Sequence, residues 1–202
     1  IMQYAVYMAI SIALALVLRT FMARTLFEQF QLERLLHERA TTDGLTGLLL
    51  RNRFLEMGRL ALDHVCGQQQ PACMLFLDAD HFKQINDKHG HAAGDTALVA
   101  LANSLRAHVR DADLIGRIGG EEFAMLLPGV DQQQARVRAE QLRLAVRASE
   151  QPGGPLTVSI GIAECAPGFC EGIETLLARA DQAMRRAKRD GRDRVVMAEM
   201  LP

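Results

Sequence analysis

The chain has 202 residues, a length within the range of one domain with an extension. Its formal net charge is −1 at pH 7, so its charge gives no reason to expect a nucleic-acid partner. The four cysteines show no metal-ligand spacing, and we expect reduced, structural thiols in a cytosolic domain.

Residues 1–18 form an uncharged apolar segment in which Gln3 and Ser11 are the only clearly polar side chains. As a helix, this segment spans about 27 Å, just under the thickness of a bilayer core. Arg19 and Arg24 follow it, and the positive-inside rule places the rest of the chain in the cytoplasm. Residues 1–19 are therefore predicted to be a transmembrane helix in the inner (cytoplasmic) membrane. A helix buried against a partner chain or a sensor domain is the alternative.

Residues 20–41 are predicted to form a helical signalling linker. Phe27, Phe30, Leu35 and Leu36 recur near helical spacing among charged residues. The segment is too short to establish a coiled coil, but it is long enough to pair two copies of the chain. An Asp-Gly pair at 43–44 then breaks the helix, so a separate domain is expected from 42 to 202.

Predicted helices and strands alternate along this domain. The predicted helices are 48–65, 81–88, 94–110, 131–149 and 172–190, and the predicted strands are 72–77, 114–118, 122–127, 156–164 and 194–197. The alternation predicts an α/β sandwich in which helices pack on a central sheet.

Two carboxylates follow the most apolar predicted strand. Residues 73–77 are continuously apolar, as in a buried strand, and Asp78 and Asp80 come directly after them. Mg²⁺ prefers oxygen ligands, typically one or two carboxylates plus substrate phosphates. A helix is predicted to begin at His81, where free N–H groups bind phosphate and Lys83 adds a positive charge.

A second motif joins two short apolar runs through Gly119 and Gly120. It predicts a β-hairpin whose turn adopts positive φ. Because the two glycines have no side chains, an anion can approach the backbone of the turn. Glu121 and Glu122 then start the second strand, and successive strand side chains point to opposite faces. Glu121 is expected to join Asp78 around a metal ion. A hairpin with solvated acids is the alternative.

These motifs occur in an order that resembles the GGDEF (here GGEEF) domain of diguanylate cyclases. The matching segments are 43–48, 78–87, residue 91, 94–95, 119–123, 157–163, 180–184 and 187–192. Enzymes of that family condense two GTP into cyclic di-GMP and pyrophosphate. The resemblance covers roughly 41–197, and it implies a palm-like, ferredoxin-like sheet that is mixed, mainly antiparallel and surrounded by helices.

The resemblance implies a catalytic centre that holds Mg²⁺ or Mn²⁺. Its metal ligands would be the carboxylates of Asp78 and Glu121 and the carbonyl of Ala79. Glu121 is also a candidate acceptor for the proton of the attacking hydroxyl, a less certain role because a metal-bound carboxylate is a poor base. Lys83 and Glu122 complete the implied catalytic set.

The implied substrate residues fall into two groups. Asn86 and Asp95 would read the guanine by hydrogen bonds, with His91 and Phe82 in the same pocket. The residues implied to contact phosphate are Arg117, Gly119, Gly120, Lys188 and Arg192. The last two, four apart on one predicted helix face, have as their alternative a solvated basic helix end.

A second site is suggested by Arg110 and Asp113, which match the family's RxxD inhibitory motif, with Arg143 as a further candidate. The expected property is product inhibition by cyclic di-GMP, and the alternative is a charged helix end. The product contains two equivalent phosphodiester bonds, so a homodimer is expected.

Some positions depart from the usual pattern of the family. Residues 49–50 are Leu-Leu where Pro-Asn is usual, Arg185 stands for a Tyr, and Asp193 stands for an Asn. None is an implied metal ligand or guanine reader. A catalytically silent module that binds GTP or cyclic di-GMP remains the alternative function, and a mononucleotide cyclase with the same fold is another.

Overall fold

The computed structural model describes residues 16, 18–22, 24–25, 41–149, 155–169 and 171–199. The chain divides into two compact units, residues 1–40 and residues 41–202. In the first unit, residues 18–22 and 24–25 are helical. Most of the predicted transmembrane helix and most of the predicted linker lie outside the described residues. Within the described part of the chain, no helix is long and apolar enough to cross a membrane.

The described part of the second unit contains six strands and five helices. The strands are β1 (Leu49–Leu50), β2 (Ala72–Ala79), β3 (Leu114–Arg117), β4 (Glu122–Pro128), β5 (Val158–Cys165) and β6 (Val195–Met197). The helices are α1 (Arg51–Gly67), α2 (Phe82–His89), α3 (His91–Ala107), α4 (Gln132–Ala148) and α5 (Ile173–Arg189).

The strands form one mixed sheet in the order β1-β3-β4-β2-β5-β6. The three central pairings, of β3 with β4, β4 with β2 and β2 with β5, are antiparallel. The two edge pairings, of β1 with β3 and β5 with β6, are parallel. This confirms the predicted sheet, which is mixed, mainly antiparallel and flanked by helices.

Helices cover both faces of the sheet because its central strands are apolar on both sides. On β2, Leu75 and Leu77 belong to the core formed with α3 and α4, while Met74 and Phe76 belong to the core formed with α1 and α5. Side chains alternate between faces along a strand, so Asp78 faces the side of α1 and α5.

Most predicted elements agree with the structure to within two residues, and two differences have a clear cause. The two-residue strand β1 was not predicted, because such a short pairing leaves no period in the sequence. Helix α3 begins at His91 instead of Gly94, because Gly90, at φ +82°, separates it from α2. Gly94 lies buried inside the helix.

The cysteines differ in part from the expectation. Cys73 and Cys165 are buried free thiols, and burial raises the pKa of both. Cys66, however, is disulfide-bonded. The expectation of reduced thiols is wrong for Cys66, because disulfide geometry depends on which thiols the fold brings together, and sequence spacing does not reveal that.

Candidate active site

Asp78 lies at the carboxyl end of β2, with only 5% of its side chain exposed. Its Oδ1 lies 2.7 Å from Nζ of Lys188, near the end of α5. Burial raises the pKa of Asp78 to about 6, although the hydrogen bond and charge of Lys188 oppose the shift. The negative charges of Glu121 and Glu122 raise this pKa further.

The backbone explains how Glu121 and Glu122 reach this position. The carbonyl of Glu121 accepts a hydrogen bond of 3.2 Å from the amide of Ala79. Glu122 opens β4 and pairs opposite Asp78 in the sheet. The two acids therefore lie beside the end of β2, and Glu121 precedes the strand instead of lying within it.

The hairpin between β3 and β4 differs from the predicted turn. Neither Gly119 nor Gly120 has a positive φ, so that part of the prediction is wrong. A Cβ on Gly119 would overlap the carboxylate of Glu122, whereas a Cβ on Gly120 would have no atom within 4 Å. The four residues 118–121 make the turn wide enough to avoid left-handed backbone, and open space remains around Gly120.

The segment after β2 turns directly into α2. His81 adopts a left-handed conformation at φ +58°, and the first turn of α2 follows with Phe82 and Lys83. Among the described residues, no acceptor lies on the backbone amides of these two residues. Lys83 is exposed. This helix start therefore offers free N–H donors and a positive charge to an anion.

The predicted guanine-reading residues lie where α2 meets α3. Asn86 packs against Gly94 so closely that a Cβ on the glycine would overlap the Asn86 side chain and lie 3.1 Å from the ring of Phe82. Asp95 follows Gly94 and is exposed, as is His91 at the start of α3. In the structure, Asn86 and Phe82 thus pack beside Gly94, the residue before Asp95.

Lys188 and Arg192 do not lie on one helix face, contrary to the prediction. Helix α5 ends at Arg189, and Arg192 lies in the following turn at φ +62°. Its backbone amide still donates to the carbonyl of Ala187, 2.9 Å away. The turn keeps Arg192 exposed near the end of the helix that carries Lys188.

Arg117, predicted to contact phosphate, is occupied by protein acceptors. Its Nη1 donates to both carboxylate oxygens of Asp43, at 2.9 and 3.1 Å, and its Nε and Nη2 donate to the carbonyl of Gly120. Asp43 also accepts from the amide and hydroxyl of Thr46. Although burial opposes it, the pKa of Asp43 is lowered by these Thr46 and Arg117 contacts. Arg117 thus ties the glycine turn to the segment before β1.

Two side chains of the predicted inhibitory site, those of Asp113 and Arg143, are paired with protein groups in the structure. Asp113 is turned inward, with 1% of its side chain exposed, and pairs with Arg138 at 2.5 Å. Its carboxylate also accepts from the backbone amide of Arg110, whose side chain is exposed. Arg143 pairs with Glu140 and Asp193 instead.

Sequence reasoning missed Asp43, Arg138 and the partners of Asp193. Asp43 stands in the opening motif, which gave a signal for its position but not for its partner. Arg138 and Arg143 are two of several arginines on α4, and nothing in the sequence separates them. Their partners become visible only once α4 is placed beside other elements.

The donor set around Asp78 fits a hard divalent cation. It offers carboxylate oxygens and a backbone carbonyl, the ligands that Mg²⁺ prefers, and the ammonium of Lys188 already places a positive charge on Asp78. Within the residues that the structure describes, no cluster of three or more His, Cys, Asp or Glu side chains could hold a metal alone. Substrate phosphates would have to complete the coordination.

Known proteins resemble this chain both in sequence and in fold. Residues 40–194 match the family profile described as diguanylate cyclase, GGDEF domain. The chain is similar to the diguanylate cyclase DgcM of Escherichia coli (strain K12), with 41% identity over 172 residues. The match covers 85% of this chain and 42% of DgcM, so the chain spans less than half the length of this relative.

Two solved structures from Caulobacter crescentus, both in complex with c-di-GMP, are similar to this fold. The GGDEF domain of DgcB has a TM-score of 0.73 at 35% identity, covering 79% of this chain and 94% of that one. The coiled coil and GGDEF domain of DgcB has a TM-score of 0.72 at 32% identity, covering 90% and 99%.

Proposed function

Because this chain belongs to the GGDEF family of diguanylate cyclases, we propose that it condenses two molecules of GTP into cyclic di-GMP and pyrophosphate. The observation that carries the proposal is the ion pair of Asp78 with Lys188 at the end of β2, where the backbone of Glu121 and Glu122 lies alongside. Carboxylates for a metal and a lysine for phosphate are the groups that nucleotidyl transfer requires.

The metal-binding residues would be Asp78, Glu121 and the carbonyl of Ala79. When bound there, Mg²⁺ or Mn²⁺ supplies positive charge that neutralises the phosphates and orients their oxygens. Lys188 would release Asp78 as the nucleotide arrives and place its ammonium on the phosphates. The free amides of Phe82 and Lys83 would receive the same triphosphate.

The guanine would lie between α2 and α3. Asp95 accepts from the base N–H groups, and the amide group of Asn86 donates to a base acceptor. His91 and Phe82 line the same pocket, while Arg192 and the open backbone at Gly120 contact the phosphates. Arg117 acts indirectly, because its guanidinium donates to the carbonyl of Gly120 and so fixes the glycine turn.

In the reaction, the 3′-oxygen of one GTP attacks the α-phosphorus of the other. A P–O bond forms, the bond to pyrophosphate breaks, and the hydroxyl proton passes to a nearby carboxylate. Glu121 is the proposed acceptor, with Glu122 beside it. The protein contributes positioning and charge stabilisation more than covalent chemistry.

The proposed active form is a homodimer, because one domain holds one GTP and the product has two equivalent bonds. Two copies related by a twofold axis would place one nucleotide against the other. The linker at 20–41 would hold the pair together. The segment 1–19 would attach it to the inner membrane, with the catalytic domain in the cytoplasm. Membrane fractionation of the full chain beside residues 42–202 tests the attachment.

Product inhibition by cyclic di-GMP is the proposed regulation, with the exposed guanidinium of Arg110 as the main contact. Asp113 would hold the turn that presents it, since its carboxylate accepts from the amide of Arg110. We expect Arg110→Ala to abolish inhibition by added cyclic di-GMP, while the exposed Arg136→Ala control keeps it. Equal inhibition of both variants would remove this site.

The activity is tested by incubating the purified protein with GTP and Mg²⁺ and identifying the products by chromatography and mass. We expect cyclic di-GMP from the wild type and from the surface control Glu56→Gln, and at least a hundredfold less from Glu121→Gln, roughly the effect of losing one catalytic proton acceptor. Binding of GTP without any product from a dimeric wild type would instead favour the silent binding module.

A further inference from the structure

Asp193 joins helix α4 to the turn that follows α5. Its Oδ1 accepts from Nη1 of Arg143 at 2.7 Å, and its Oδ2 accepts from Nη1 of Arg147 at 3.0 Å. The side chain is 22% exposed and that of Arg143 is 15% exposed, so this pair is shielded from solvent better than an ordinary surface ion pair.

The same residue is also tied to the end of β2. The backbone amide of Asp193 donates to Oδ2 of Asp80, 3.1 Å away. Asp80 is 3% exposed, and its carboxylate also accepts from the hydroxyls of Thr157 and Ser159 at 2.9 and 2.7 Å. A buried carboxylate with three donors from two separate segments holds those segments in register.

The turn held by these contacts is strained. Arg192 and Asp193 are consecutive non-glycine residues in left-handed conformation, at φ +62° and +43°. A non-glycine residue in this conformation is unfavourable, and it persists only where surrounding contacts determine it. The contacts of Asp193 to Arg143 and to Asp80 are of this kind.

We propose that Asp193 and Asp80 are positioning residues that align Arg192, on the phosphate side of the site, with Asp78 and Ala79, on the metal side. The inference rests on the proposed function for the role of Arg192. Asp80 lies two residues after Asp78 in the chain, and Asp193 directly follows Arg192. The hydrogen bond between Asp80 and Asp193 therefore connects the two sides of the site, and only one or two residues separate each of its ends from a proposed site residue.

Arg143 and Arg147 act indirectly, through Asp193. By holding the carboxylate of Asp193 from α4, they keep its amide directed at Asp80. This gives Arg143 a role different from inhibitor binding. The turn is correctly placed only when α4, α5 and the end of β2 are packed together.

The test compares the binding of GMP with that of GTP, supplied as an analogue whose α,β-methylene bridge cannot be cleaved, by calorimetry with the full chain, in wild type, Asp193→Ala and Asp190→Ala. Asp190 lies in the same turn, is exposed, and has no side-chain partner among the described residues. We expect Asp193→Ala to weaken GTP binding about tenfold, the usual effect of losing one charged hydrogen bond, and to leave GMP binding unchanged. Asp190→Ala should bind both nucleotides like wild type.

A second pair of variants shows whether Asp193 acts through Arg192. If it does, Asp193→Ala has little further effect on GTP binding once Arg192 is already alanine, because the two changes remove one interaction. Arg143→Met should reproduce a part of the Asp193→Ala effect, and Arg143→Lys should restore some of it.

Two outcomes would overturn the inference: equal GTP affinity in Asp193→Ala and Asp190→Ala, or a parallel loss of GTP and GMP binding together with thermal stability. The second would make Asp193 a structural residue only. These binding measurements are independent of turnover. A wild type that shows the expected selectivity for GTP yet makes no cyclic di-GMP would refute the proposed activity and leave the positioning role intact.

Discussion

Gly94 has to be a glycine because the side chain of Asn86 occupies the space that a Cβ would need. Within a helix, alanine is normally better than glycine by about 1 kcal/mol, so helix propensity would favour a change here. The contact with Asn86 outweighs that preference. Packing at this position therefore serves the proposed guanine pocket at the expense of the helix.

We expect Gly94→Ala to weaken GTP binding about tenfold or more, because the methyl group displaces Asn86 from the base. Calorimetric titration with GTP measures the effect. In an Asn86→Ala background the same substitution should add little, since the space is then free. A full additional loss in that background would show that Gly94 acts by another route.

Asp78 carries a buried charge whose cost has a predictable pH dependence. Its pKa is raised to about 6 in the folded protein, so the folded state binds more protons than the unfolded state between about pH 4 and 6. The free energy of unfolding of the metal-free protein should therefore fall as the pH rises through this window. Above it, the full cost of the ionised carboxylate is present.

We expect Asp78→Asn to stabilise the metal-free protein at pH 8 by about 1–2 kcal/mol, once solvent screening is allowed for, although it removes activity. The gain should shrink towards zero near pH 4, where Asp78 is protonated. Urea unfolding in EDTA at both pH values measures it. The exposed Asp63→Asn is the control, and a gain independent of pH would contradict this account.

At the scale of elements, β5 and α5 approach each other closely at Gly161. A Cβ on Gly161 would overlap the carbonyl of Ala180 and the amide of Met184, both backbone atoms of α5. Backbone cannot move aside as a flexible side chain does. The absence of a side chain at Gly161 therefore determines how near α5, and with it Lys188, lies to the sheet.

We expect Gly161→Ala to destabilise the domain by about 3 kcal/mol, the upper range for overpacking. Because α5 must move, the kcat for GTP should fall as well. Urea unfolding and turnover assays measure the two effects. Gly67→Ala, at an open position at the end of α1, should cause no loss of stability. Equal stability of the two variants would mean that the helix adjusts freely.

A second connection between elements ties the hairpin to the segment before β1. Arg117, at the end of β3, bridges Asp43 and the carbonyl of Gly120. Both side chains of the ion pair are less than one-fifth exposed. The glycine turn is thus held by its neighbours in space, which explains how it keeps one shape without left-handed glycines.

At the scale of the whole molecule, the proposed reaction requires two copies of the chain. Each copy would offer one metal site and one guanine pocket, and the proposed reaction forms two bonds. A dimer with one defective site should then form the first bond and fail at the second.

We expect wild type mixed with an excess of Glu121→Gln to accumulate a linear dinucleotide with one phosphodiester bond. Wild type alone should accumulate cyclic di-GMP. Mass spectrometry separates the two products, and mixing with the active surface variant Glu56→Gln is the control. Cyclic product alone in both mixtures would mean that one active site completes both bonds.

The sequence by itself determined the elements and their order. Apolar periodicity and chain breaks such as Gly90 are local properties, so helices and strands could be predicted to within a few residues. The motifs around Asp78, Glu121 and Asn86 also predicted that the site lies at the end of the buried strand β2. In the chain, these residues lie in or directly beside a strand or helix whose position the sequence predicts.

Only the tertiary structure decided the partners of the long charged side chains. Arg117, Asp113 and Arg143 were all expected at ligand sites, and the structure shows their protein partners to be Asp43, Arg138 and Asp193. A guanidinium reaches acceptors on any element packed nearby, and several carboxylates compete for it. Which ion pair forms depends on packing between segments that are distant in the chain. That packing produces no local pattern in the sequence from which the pair could be predicted.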